Sequence, residues 1–120
     1  YLTALKTQDR KGALNHAIAA RLRPKLMTVT HVDTSTGVRT DVQKLAALGR
    51  RYDTLVVIDG VCATAGEEMY QQEWGIDLAL TASQKAIGVP PGLALLVAGP
   101  RPATLFVYLD NELVETQVLD

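Results

Sequence analysis

Lys85 stands directly behind a short apolar run, among the small residues of TASQKAIG, and the return from it is closed by Pro90-Pro91-Gly92. An ammonium ordinarily keeps to open water, so a lysine at the end of a buried strand either extends outward or has chemistry to perform. Asp59 ends a second apolar run, LVVID, and the segment His31-Val32-Asp33-Thr34-Ser35-Thr36-Gly37 follows a third, LMTVT. If these runs are strands of one sheet, an amine, a carboxylate and a cluster of hydroxyls meet at their carboxyl ends, where open α/β sheets bind ligands. A lysine beside a buried aspartate suggests a pyridoxal phosphate site. The amine forms the Schiff base, the carboxylate pairs with the protonated ring nitrogen, and hydroxyls donate to the ring O3′ and the phosphate. Each residue also has a plainer reading. Lys85 can be a hydrated turn lysine, Asp59 a turn former, and Thr34 to Gly37 an ordinary loop.

The elements that must position these groups alternate helix and strand. Residues 9–22 place Ala13, Leu14, Ala17, Ile18 and Leu22 on one helical face, and Pro24 ends the segment. Leu26 to Thr30 reads as a first strand. Thr40-Asp41-Val42-Gln43 has the form of a capping box with the Thr40 hydroxyl at the cap. Val42, Leu45, Leu48 and Tyr52 then form an apolar stripe on a helix that runs to about Arg51. Leu55 to Asp59 is a β-branched run of the kind buried on both faces of a parallel sheet. Leu78 to Thr81 is a third strand and Leu93 to Ala98 a fourth. The connection over 82–92 is too short for a crossover helix, so the fourth strand pairs antiparallel to the third or returns elsewhere in the sheet. ATLFVYLD can form another strand, and the acidic end can fray.

Composition narrows the class. Nearly half of the 120 residues are hydrophobic, enough for a core, and the net charge is −1 with both signs scattered. This excludes a disordered chain. It offers neither the basic stripe of a nucleic-acid binder nor the cationic amphipathic helix of a membrane-surface protein. The apolar runs are far too short to span a bilayer. No signal-peptide pattern is present, and the chain opens on Tyr1 without an initiator Met, so its natural start is expected upstream. Cys62 is the single cysteine, which rules out an internal disulfide or a cysteine metal cluster and fits a reducing, cytoplasmic setting. Cys62 is read as filling a small buried space, Trp74 as a packing anchor, and Arg50-Arg51 as a hydrated helix end.

THVDTSTGV, VVIDGV and TASQKAIGVPPG, in this order and spacing, resemble the second half of the cofactor domain of class V aminotransferases. The likeness is to the alanine–glyoxylate and serine–glyoxylate (serine–pyruvate) branch. It covers residues 22–99 well, and FVYLD at 106–110 resembles a further motif of that branch. The resemblance implies an α/β fold: part of the aspartate aminotransferase-like large domain, fold type I, with a mostly parallel mixed sheet and flanking helices. Residues 1–120 would form one partial pyridoxal-phosphate-binding domain. Residue by residue, Lys85 would be the Schiff-base lysine and proton shuttle, and Asp59 the partner of the pyridine nitrogen. Val61 would pack on the ring face, Thr34 would stand near O3′, and Gln84 would help hold the cofactor. Ser83 and His31 would have supporting roles.

The family's glycine-rich phosphate loop, ring-stacking aromatic and substrate-carboxylate arginine are expected outside this sequence. The implied reaction moves an amino group from alanine or serine to glyoxylate or another 2-oxo acid. The implied cofactor is pyridoxal 5′-phosphate and the full-length protein a homodimer, with neither nucleic acid nor membrane as a partner. Two alternatives stand beside it. One is another class V chemistry (epimerase, lyase or desulfurase-like); the other is a truncated, non-catalytic remnant serving as a folding or interaction unit.

Overall fold

A computed structural model describes residues 10–101, 104–109 and 112–118; residues 10–15 and everything after Arg101 are described as backbone alone. The chain runs α1 (Arg10–Leu22), β1 (Leu26–Thr30), α2 (Val42–Arg51), β2 (Leu55–Asp59), α3 (Gln71–Trp74), β3 (Leu78–Ala82), β4 (Ala94–Ala98), β5 (Thr104–Leu109) and β6 (Glu112–Val118). A four-stranded sheet has the order β1-β2-β3-β4, and β5 and β6 form a separate antiparallel pair. β1, β2 and β3 are parallel; β4 returns antiparallel to β3, one of the two outcomes that the short 82–92 connection left open. Among the described residues, none forms a helix long and apolar enough to cross a membrane.

β2 and β3 alternate between buried and half-buried positions instead of being buried on both faces, and β4 is mostly exposed. In β2, Val56 and Ile58 are buried while Leu55, Val57 and Asp59 are only half-buried. The buried face meets α2: Val29, Val56, Ile58 and Ala79 pack with Val42, Ala46 and Ile76, and Trp74 packs against this core as expected. Gly49 allows the close approach, since a Cβ there would run into Val56 Cγ2. On the other face the described residues supply no comparable layer. That explains why β2 fails the two-sided expectation.

The helices depart from the expected pattern in two places. The cap of α2 is Asp41 and not Thr40; its carboxylate accepts the Lys44 N–H at 3.1 Å and the Lys44 ammonium at 3.0 Å. A carboxylate one residue nearer the helix outcompetes the hydroxyl. In α1 the expected stripe is not what packs: Ile18 and Leu22 are exposed and Ala19 is buried. The Ala13 and Leu14 side chains lie outside the described residues. The fraying expected of the acidic end gives way to β6.

Candidate functional site

Register puts the three carboxyl ends at one edge. Thr30 pairs with Asp59 across β1 and β2, and Asp59 pairs with Leu80 across β2 and β3. Asp59 thus ends the central one of the three parallel strands, and Lys85 follows the end of its neighbour by three residues. The loops behind these ends touch. A Cβ built on Gly66 would lie 3.4 Å from the Ala86 Cβ, which brings the β2 loop against the residue beside Lys85. Gly60 donates to the Leu80 carbonyl at 2.9 Å, and Thr81 Oγ1 donates to the Gly60 carbonyl at 3.3 Å.

At this edge the sequence-predicted groups keep spare bonding capacity. Asp59 Oδ1 accepts the Val61 N–H at 3.0 Å, while Oδ2 has no hydrogen-bond partner among the described residues. Lys85 is exposed, and its ammonium makes no hydrogen bond or ion pair with the described residues. Val61 is half-buried and Gln84 exposed. Thr34 is exposed, and its Oγ1 stands 2.9 Å from Cys62 Sγ, joining the β1 loop to the β2 loop. Cys62 is therefore a half-buried polar partner and not the filler of a buried space that its type suggested. Sequence spacing carries no sign of this contact across 28 positions.

Thr34 is held in place by its own loop. Asp33 accepts the Ser35 N–H at 3.0 Å and the Thr36 hydroxyl at 2.7 Å. The Thr36 hydroxyl, with the Ser35 amide, draws the Asp33 carboxyl below its ordinary range. Gly37, at φ +67°, makes the turn, and a bridge between Val32 and Arg39 closes it. Arg39 crosses to Glu67 of the β2 loop at 3.5 Å.

The His31 backbone N–H donates to the Asp59 carbonyl at 2.9 Å, but His31 lines a different cavity. It is buried, its Nδ1 has no hydrogen-bond partner among the described residues, and burial lowers its pKa below the ordinary value. With Arg39, Asp41, Gln43, Glu68 and Trp74 it lines a cavity of about 320 Å³ that includes none of Lys85, Asp59, Thr34, Val61 or Gln84.

A second polar cluster, which the sequence did not suggest, sits at the opposite edge. Asp77 is buried before β3; its Oδ2 accepts the Val56 N–H at 2.7 Å. Arg101 Nε donates to Asp77 Oδ1 at 2.6 Å, and Arg101 Nη2 to Asp77 Oδ2 and to the Thr54 carbonyl. The Asp77 carboxylate raises the already high pKa of the guanidinium. The two residues stand 24 positions apart, and only the antiparallel return of β4 brings them together.

The family model described as Aminotransferase class-V matches residues 4–105. An alanine–glyoxylate aminotransferase of Saccharomyces cerevisiae is 47% identical over 77 residues, covering 62% of this chain and 20% of that protein. A serine–glyoxylate aminotransferase of Arabidopsis thaliana is 36% identical over 89 residues, covering 72% of this chain and 21% of that protein. The chain thus spans about a fifth of the length of these relatives. The crystal structure of a ureidoglycine–glyoxylate aminotransferase from Bacillus subtilis superposes with a TM-score of 0.70 at 30% identity, over 75% of this chain and 23% of that one. The mostly parallel sheet is accordingly part of the large domain of fold type I, the aspartate aminotransferase-like fold. By the span of the match and the likeness of its sheet, this chain is a member of the class V aminotransferase family.

Proposed function

We propose that this chain forms the lysine-bearing edge of a pyridoxal-phosphate-dependent aminotransferase. Its partial large domain, residues 1–120, would work within a longer, homodimeric protein that moves an amino group from alanine or serine to glyoxylate or another 2-oxo acid. The observation that carries the reading is Asp59 at the end of β2 and Lys85 in the loop just past the end of the adjoining parallel strand β3, each with bonding capacity left over. The names of the similar proteins support the substrate classes.

The residues present suit the group. A primary amine and a carboxylate oxygen without partners among the described residues, and a loop hydroxyl, belong to the carboxyl ends of β1, β2 and β3 and the segments that follow them. Pyridoxal phosphate, when bound, supplies an aldehyde carbon and an electron-withdrawing ring conjugated to the carbon bearing the amino group. Lys85 would hold the group through its amine, with the aldehyde oxygen leaving as water, and would carry the proton at the carbon bearing the amino group. Asp59 Oδ2 would accept from a protonated ring nitrogen, with the Val61 N–H on Oδ1 fixing the carboxylate plane. Thr34 Oγ1 would orient the ring oxygen, Val61 would pack on the ring face, and Gln84 would help hold the group beside the amine.

The test is carried out in the protein containing this segment. Lys85→Ala should abolish both the visible absorption of the bound cofactor and amino transfer to glyoxylate. Lys85→Arg should fail equally, because a guanidinium does not condense with an aldehyde under ordinary conditions. Asp59→Asn should still take up cofactor and lose turnover. Retained absorption and transfer in Lys85→Ala would end the reading.

A further inference from the structure

Pro90 and Pro91 carry no N–H, so the return from Lys85 to β4 lacks backbone donors that would otherwise fix the loop. Ser83, at the opposite end of that loop, answers the shortage. Its hydroxyl donates to the Pro90 carbonyl at 2.8 Å and accepts from the Leu93 N–H at 3.3 Å, and the residue is only 2% exposed. Its backbone N–H donates to the Leu93 carbonyl and its carbonyl accepts from Val89 N–H, both at 3.1 Å. Lys85 lies inside the closed loop, where the Gly88 N–H donates to its carbonyl at 2.9 Å.

We infer that Ser83 is the positioning residue for Lys85: by clasping Pro90 and Leu93 it restricts where the Lys85 backbone sits at the carboxyl edge. The inference rests on the role proposed above for Lys85. An exposed side chain with no partner gains its aim only from its backbone, and a condensation rate depends steeply on that aim. Replacing the hydroxyl with a methyl hydrogen leaves the Pro90 carbonyl and the Leu93 N–H unanswered while the β3–β4 ladder remains. The loop loosens and the sheet persists.

Ser83→Ala, Ser83→Thr and Ser83→Cys in the full chain test this with two readouts. One is amide hydrogen exchange at Leu93 and Gly88, with Ile58 of β2 as the reference. The other is labelling by pyridoxal phosphate and borohydride at Lys85 relative to the exposed Lys25. In Ser83→Ala, exchange at Leu93 should rise by about tenfold and the Lys85-to-Lys25 ratio should fall by up to about tenfold. Ser83→Thr, which keeps the hydroxyl, should restore both; Ser83→Cys, near in size and a weaker hydrogen bonder, should fall between. Faster exchange with an unchanged ratio would leave Ser83 a structural clasp and overturn the positioning role. Unchanged exchange would overturn the clasp itself. A wild-type chain labelled no more at Lys85 than at Lys25 would instead overturn the role of Lys85, and positioning with it, whatever the exchange shows.

Discussion

At the amino edge of the sheet, buried polar groups are answered. Asp77 takes the Val56 N–H and the Arg101 guanidinium, Arg101 also reaches the Thr54 carbonyl, and the Thr54 hydroxyl donates to the Pro24 carbonyl at 2.7 Å. At the carboxyl edge of the same strands, Asp59 keeps an open oxygen, Lys85 is exposed, and among the described residues the Thr34 hydroxyl meets only Cys62. The strands are common to both, so the difference lies in what precedes and follows them. A scaffold fastened at one end can hold side chains at the other without committing them, which is how loops on a rigid frame come to carry function. Ser83 fits this division, because it fastens the loop of Lys85 and leaves the amine alone.

The contrast can be broken most strongly at the fastened edge. Arg101→Ala strands a buried carboxylate and should destabilise the chain by about 3–5 kcal/mol, read from urea unfolding. Asp77→Leu with Arg101→Met should recover part of that loss, because a packed apolar pair avoids the desolvation of two charges. A loss below about 1 kcal/mol for Arg101→Ala would show that the edge is not fastened by this pair. Next in size is the α2 cap. Asp41→Ala should cost about 1 kcal/mol in the same measurement, and Asp41→Asn should keep most of it.

The smallest effect is a pH dependence. Burial lowers the pKa of His31 in the folded chain from the ordinary value of 6.5, so the folded state binds fewer protons there than the unfolded state. That contribution is whole above the unfolded value and is lost as pH falls through the folded one. Urea midpoints should therefore drop between about pH 7.5 and about pH 5, and the slope should flatten in His31→Asn. An equal slope in both chains would assign the effect elsewhere.

The fold was largely legible because its strands are short apolar runs and its connections have telling lengths. The stretch over 82–92 left no room for a crossover helix and β4 returned antiparallel, and the 26–30, 55–59 and 78–82 runs fell into one parallel set. Asp59, Lys85 and Thr34 were legible as strand-end groups for the same reason. Burial was less so: the periodicity of α1 marked Ile18 and Leu22, yet both are exposed. Nothing in a local pattern says which face of a helix meets a neighbour. Long-range pairs were not legible at all. Thr34 with Cys62, and Asp77 with Arg101, depend on loops and on a strand return that single-residue chemistry does not encode. Proline chemistry did hint that the exit from Lys85 is stiff; only the structure supplies Ser83 as the group that answers it.

The central claim is that the open edge offers one particular amine. Pyridoxal phosphate added to the full chain, fixed by borohydride and mapped by peptide mass, tests it most directly. The account predicts that Lys85 carries the label in large excess over Lys25 and Lys44, and that Asp59→Asn lowers that excess without moving it to another residue. Label spread evenly over the exposed lysines, or concentrated on one other than Lys85, would contradict it.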